Sequence, residues 1–181
     1  MPKRLKMPFV EPATKPKIFL TCFTPFGGRE ENQSFKLVSQ LGYQYLQLDV
    51  SWNKVEADIK GIIDMRPIYL IMFGEAIKYQ EVMAEMVAHN IALGTDNEGV
   101  KKDDEMIDSE LPHELKTSLN VQGFFKESYD AGKYLCNYAY FEALKLTRDA
   151  NIKVIFIHLP ILDGIFEETK RQVLKFLNSL D

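Results

Sequence analysis

Apolar residues recur along this chain in two rhythms, short unbroken runs and spacings of three or four, and the alternation of the two divides it into strands and helices. Ile18–Phe23 is an apolar run and predicts a buried first strand. Asn32 predicts the cap of a helix from Gln33 to Leu41, with Phe35, Leu37 and Val38 turned inward. Tyr43 to Val50 alternates loosely and is rich in aromatic residues, as a strand is. Lys54 to Met65 is amphipathic, with Val55, Ile59, Ile62 and Ile63 on one side, and Pro67 closes it. Ile68–Phe73 is the next buried strand and ends at Gly74. Val82–Asn90 is apolar except for Glu85 in its middle; it reads as an extended segment or, alternatively, as a helix. Thr95 to Asp108 is polar and acidic, with Asn97 and Gly99 as turn formers. Leu111 to Leu119 predicts a short helix opening near Pro112, and Val121 to Tyr129 a strand. Leu135, Ala139, Glu142, Ala143 and Leu146 share a helical face, Lys153–Ile157 is a last buried strand, and Glu167 to Leu180 is a closing amphipathic helix. Strands alternating with helices predict an α/β layered domain with a mainly parallel sheet.

Composition narrows the class. The 181 residues suit one domain with a sizeable core. No repeat, low-complexity tract or linker interrupts residues 17–181, and residues 1–16, rich in Pro and Lys, read as an N-terminal extension. A net charge of −4 with both signs interspersed argues against a nucleic-acid surface. No stretch approaches a membrane span, and the N-terminus lacks the apolar core of a signal peptide. Two cysteines far apart in sequence, Cys22 and Cys136, make no disulfide framework, so a reducing cytoplasm is the expected location. No His/Cys/carboxylate cluster has zinc spacing, and no metal or other cofactor is expected.

Cys136 carries the first chemical signal. Gly132 allows a sharp turn into the helix, so Cys136 falls in its first turn, where unpaired N–H groups and the positive end of the dipole favour a thiolate. The plain alternative is a buried cysteine used as a small hydrophobe. His158 stands at the C-terminal end of the last strand, where ligand-contacting groups gather in open α/β sheets. Glu85 needs a partner if it is buried. Cysteine hydrolysis needs this set: an imidazole to take the thiol proton and a carboxylate to hold the imidazole. His89 and His113 compete with His158 for the role; His113 lies in a polar stretch and His89 is placed to pack on the same sheet. The loop Thr24–Gly28 follows the first strand, has no P-loop lysine, and is followed by Glu30 and Glu31, which repel an anion. Phe23 and Phe26 suit a flat apolar ligand, with ordinary core as the alternative.

Several short pieces, in order, resemble the pyroglutamyl-peptidase I (pyrrolidone-carboxylate peptidase) family. They are Thr24–Gly28 with Asn32 and Ser34; Glu85, Val87, Ala88 and Asn90; Asp96–Gly99; Ala131-Gly132; Cys136-Asn137; and Phe156–Pro160. The resemblance implies a three-layer α/β/α sandwich and a cysteine exopeptidase that removes an N-terminal pyroglutamyl residue from a peptide. It implies Cys136 as nucleophile, His158 as base and Glu85 as the acid that orients it. It also implies Phe23, Phe26, Tyr134 and Leu135 as substrate contacts, the Tyr134 hydroxyl adding polarity, and a possible homo-oligomer. A lactam ring is small, flat and uncharged, and suits apolar walls with a few hydrogen bonds. Two departures stand out: Ile77-Lys78-Tyr79 replaces a Gly-Gly-Arg segment, and Ile91–Thr95 lacks the family's arginine, thought to help the oxyanion. Losing such a donor costs roughly a hundred- to a thousandfold in rate, so a weakened activity is expected. The chain also looks shorter than the family before Phe124 and between Cys136 and His158, which puts the oligomer interface in doubt. The alternatives are a non-catalytic binding protein on the same scaffold and a cysteine amidase with another acyl specificity.

Overall fold

The computed structural model describes residues 16–180. Apart from Pro16, the expected N-terminal extension lies outside the described residues. A six-stranded sheet organises the chain. β1 (Ile18–Phe23), β2 (Tyr45–Leu48), β3 (Tyr69–Glu75) and β10 (Lys153–Leu159) are parallel; β4 (Met83–Glu85) runs against β10, and β9 (Lys126–Ser128) lies parallel to β4 at the edge. The order across the sheet is β2-β1-β3-β10-β4-β9. Two small ladders stand outside it, β5 (Val87–His89) with β8 (Glu114–Lys116) and β6 (Ala92–Thr95) with β7 (Lys101–Glu105).

The period-2 rule sorts the strand residues into two cores. Phe19 and Phe23 of β1, Leu70 and Met72 of β3, and Val154 and Phe156 of β10 meet α2 (Trp52–Asp64) and α3 (Leu135–Leu146) on one face. Ile18 and Leu20, Ile71 and Phe73, and Ile155 and Ile157 meet α1 (Gln33–Val38) and α4 (Phe166–Ser179) on the other. The result is a mainly parallel sheet with helices on both sides, the layered α/β/α arrangement expected.

Three local expectations are corrected, the first being Phe35, which is exposed on α1 where it was expected to turn inward. Leu111–Leu119 forms no helix: Leu115 is buried between exposed Glu114 and Lys116, an alternation that fits β8, and its pairing with Val87–His89 overrides helical spacing. The strand expected over Val121–Tyr129 shrinks to β9, because Gly123 takes a positive φ of 82° and Phe124 and Phe125 turn onto Phe176 of α4. The polar stretch Thr95–Asp108 does turn at Asn97–Gly99, and it contributes most of the β6/β7 ladder around that turn. For Val82–Asn90 the extended reading holds and the helical one does not.

Asp96 ties that turn to the body of the domain. Its buried carboxylate accepts hydrogen bonds from Trp52 N at 3.0 Å, opening α2, and from Glu98 N at 3.0 Å and Val100 N at 2.8 Å. Ser51, the residue that precedes α2, makes no side-chain cap bond, so Asp96 caps the helix from a distance. Asp96→Ala leaves three N–H groups without their acceptor and is expected to cost about 2 kcal/mol or more in urea unfolding, whereas Asp96→Asn retains part of it.

Candidate active site

Strand alternation places the chemistry on the α3 face of the sheet. On β3 that face carries Leu70, Met72 and then Gly74; on β10 it carries Val154, Phe156 and then His158. Gly74 and His158 are paired in the parallel register, so they lie side by side. Antiparallel pairing sets Glu85 of β4 opposite Phe156, and parallel pairing sets Ser128 of β9 beside Glu85. Glu85 and Ser128 thus lie two residues along the strands from Gly74 and His158, which form the adjacent row on the same face.

Cys136 comes down onto this row from the first turn of α3. A Cβ built on Gly74 would lie 2.7 Å from its Sγ and 2.6 Å from the Phe156 ring. The sulfur therefore occupies the space that any side chain at 74 would fill, directly beside the strand position of His158. Asn137 fixes the helix in depth: its Oδ1 accepts His89 N at 2.7 Å, and its Nδ2 donates to His89 O at 2.8 Å and Ile91 O at 3.0 Å. Tyr134 gives α3 no side-chain cap bond, which leaves the first-turn N–H groups open beside the sulfur.

His158 and Glu85 form a buried pair, with Nδ1 to Oε1 at 2.7 Å. A carboxylate only accepts, so Nδ1 carries the hydrogen and Nε2 is the nitrogen without one. Glu85 has no exposed surface. Burial alone would push its carboxyl up, but the His158 hydrogen bond and charge, with Ser128 and Tyr79, hold it below the usual carboxylate range. The pair therefore stabilises the fold above the ordinary carboxylate range, and that stability is lost as the pH falls through the lowered value. Tyr140 of α3 donates to the Glu85 main-chain oxygen at 2.8 Å and fixes the strand beneath the carboxylate.

The thiol differs from the expectation of a helix-activated thiolate. Burial, together with the charges of Glu85 and Glu75, pushes Cys136 up to about 12. Enclosure and two carboxylates outweigh one helix end, so the resting sulfur is protonated at neutral pH. Cys22 is likewise pushed up to about 12, by burial alone, and has no exposed surface.

The expected apolar walls are only partly accessible. Phe23 and Leu135 each expose about 1 % of their surface and lie in the core beneath the site. Phe26 and Tyr134 are half-buried, with ring centroids 6.0 Å apart. The Tyr134 hydroxyl does not add polarity to a pocket, because it donates to Thr95 O at 2.7 Å. A Cβ on Gly94 would lie 2.7 Å from the Tyr134 ring, so a glycine in β6 admits that ring. Nearby cations are engaged: Arg29 pairs with Glu75, Lys78 with Asp130 and Lys133 with Asp104. The competing histidines lie elsewhere; the main-chain oxygen of His113 accepts Asn90 N, and His89 faces Glu114 and Tyr129 O. Sequence reasoning missed Gly74, Ser128 and Tyr79 as site residues. Gly74 was visible only as the end of an apolar run and Tyr79 only as part of a segment that departs from the family pattern, and nothing local marks Ser128.

The family model for pyroglutamyl peptidase matches residues 16–173. A pyrrolidone-carboxylate peptidase from Thermococcus kodakarensis is 31% identical over 166 residues, covering 80% of this chain and 81% of its own length. One from Caldanaerobacter subterraneus is 32% identical, covering 81% of this chain and 83% of its own length. In structure, the chain is similar to the pyrrolidone carboxyl peptidase of Thermococcus litoralis, with a TM-score of 0.79 and 25% identity over 88% of this chain and 90% of that one. The fold is also shared with the enzyme from Fervidobacterium islandicum, at a TM-score of 0.82 and 24% identity over 92% of this chain and 98% of that one.

Two outcomes test the geometry. Gly74→Ala forces a methyl group onto Sγ and the Phe156 ring and is expected to cost about 1–3 kcal/mol of stability, measured by urea unfolding. Carbamidomethylation of Cys136 is expected to accelerate roughly tenfold per pH unit between pH 7 and 9, since the thiolate fraction rises with pH throughout that range. Cys22 stays unlabelled in the folded protein for want of access; a rate plateau for Cys136 below pH 8 contradicts the protonated resting thiol.

Proposed function

The chain belongs to the pyroglutamyl peptidase family, a family of cysteine peptidases, and we propose that Cys136, His158 and Glu85 hydrolyse the peptide bond that follows an N-terminal pyroglutamyl residue. The observation that carries this reading is the buried 2.7 Å His158–Glu85 bond on the same sheet face that seats the Cys136 sulfur over Gly74. An imidazole held through Nδ1 by an ionised carboxylate leaves Nε2 to take a proton, and the thiol sits over Gly74, the strand partner of His158.

Because the resting thiol is neutral, the nucleophile forms when Nε2 takes the Sγ proton. Glu85, already ionised, stabilises the imidazolium that results. The sulfur attacks the pyroglutamyl carbonyl carbon, and the new oxyanion lies against the first-turn N–H groups of α3. His158 then gives its proton to the departing amine. Water, deprotonated by the same nitrogen, cleaves the thioester and releases pyroglutamate, restoring the thiol. Segment 91–95 supplies no cation to the oxyanion, so the backbone donors act there without one and turnover is slow.

A flat ring with no net charge suits the wall formed by Phe26 and Tyr134, where the nearby ionic groups already have partners. Among the described residues no group of three or more His, Cys, Asp or Glu is placed to hold a metal ion, and every step above uses only side chains and backbone. No helix among them is long and apolar enough to cross a membrane.

The test is release of a chromophore from a pyroglutamyl amide. Slow turnover that disappears in Cys136→Ala is expected, with proline and alanine amides much poorer because they lack the lactam carbonyl. Absence of any Cys136-dependent turnover favours the binding-protein reading, and preference for another acyl group favours the amidase reading.

A further inference from the structure

Tyr79 lies outside the three residues above, in the segment that departs from the family pattern, yet its hydroxyl reaches the same carboxylate oxygen as His158. It stands 3.2 Å from Glu85 Oε1, 2.9 Å from Ser128 Oγ and 3.2 Å from Asp130 O. Its ring centroid is 5.9 Å from that of His158. We propose that Tyr79 is a positioning residue for the reaction, donating its hydroxyl proton to Glu85 Oε1 and thereby aiming that oxygen at His158 Nδ1 and keeping it ionised. This rests on the triad reading given above.

Counting donors gives the direction of each bond. Glu85 Oε1 and the Asp130 carbonyl can only accept, and Tyr79 has one proton. An ionised oxygen is the stronger acceptor, so the proton points to Glu85. Ser128 Oγ accepts Asp130 N–H at 3.3 Å and has its own proton free for the Tyr79 oxygen. The chain runs Ser128 to Tyr79 to Glu85, where it meets the His158 Nδ1–H. The other carboxylate oxygen, Oε2, is buried with no hydrogen-bond partner. Both bonds therefore fall on Oε1, and the carboxylate has a single orientation in which it is supported. Ser128 is placed for this by its register opposite Glu85.

Tyr79 is itself held in place. Its N–H closes a turn onto Ala76 O at 3.1 Å, and the Lys78 ammonium lies 4.9 Å over its ring while pairing with Asp130. The titratable and charged groups around Glu85 and Tyr79 are His158 on β10, Cys136 and Tyr140 on α3, Lys78 beside Tyr79, and Asp130 on the loop before α3, while Glu75 at the end of β3 acts on Cys136. Among them His158 and Tyr79 donate to the Glu85 carboxylate itself, while Tyr140 binds its main chain.

The sign follows from which form the hydroxyl stabilises. A donor to Oε1 favours the carboxylate over the acid. Removing it makes Glu85 hold a proton more tightly and draws the Nδ1–H closer, so the Glu85–His158 pair gives up its proton at higher pH. Tyr79→Phe keeps the ring and removes only the hydroxyl. It is expected to lower kcat roughly tenfold or more with little change in KM. It also moves the acid limb of the kcat/KM profile to higher pH, by roughly half a unit or more. In proton NMR the His158 Nδ1–H resonance moves downfield, a readout independent of turnover. Ser128→Ala, which removes the donor to Tyr79, shifts both in the same direction by less.

Loss of activity in Tyr79→Phe with the acid limb and the resonance unmoved shows a packing role and overturns the proposal, as does no change in any of the three. If Tyr79→Phe does not fold, Ser128→Ala decides alone: unmoved limb and resonance overturn it. If the wild-type protein shows no Cys136-dependent turnover, the triad reading fails and the resonance shift still decides whether Tyr79 supports Glu85.

Discussion

A carboxylate buried with no exposed surface is tolerable only when its charge is answered, and the site is built around answering Glu85. Removing one partner of such a pair costs on the order of 3–5 kcal/mol. The imidazole and carboxylate are therefore part of the stability of the domain as well as of its chemistry. The three bonds that hold them come from different elements. His158 approaches from β10, Tyr79 from the segment after β3, and Tyr140 from α3 fixes the backbone below. Sheet, loop and helix are locked together at this one buried carboxylate.

Gly74 complements this constraint by leaving space. In a close-packed layer the sulfur has a place only if the strand beneath it carries no side chain. The thiol is thereby brought beside the strand pairing of Gly74 and His158 without a distorted backbone. Its enclosure and the two nearby carboxylates keep it protonated at rest, against the pull of the helix end.

The helix-end argument for Cys136 shows where local reasoning stops. Its placement in the first turn of α3 was legible from Gly132 and from the spacing of Leu135, Ala139, Ala143 and Leu146. Its protonation state was not, because Glu85 and Glu75 lie 51 and 61 residues away along the chain and act through space. Phe23 and Leu135 teach the same lesson: an apolar residue beside a functional loop reads the same whether it faces a ligand or the core.

From the chain alone came the alternating strands and helices, the α/β class, and the candidates Glu85, Cys136 and His158. Period and composition carry that information because burial of one face is a local requirement. Tertiary structure alone decided that Leu111–Leu119 holds a short strand at Glu114–Lys116 and no helix, since β8 exists only as the partner of β5. It alone set the register that puts Gly74 beside His158 and Ser128 beside Glu85. It alone brought Tyr79 onto Oε1. Pairing register, and the hydrogen bonds that depend on it, are properties of which strands become neighbours, and no local pattern records them.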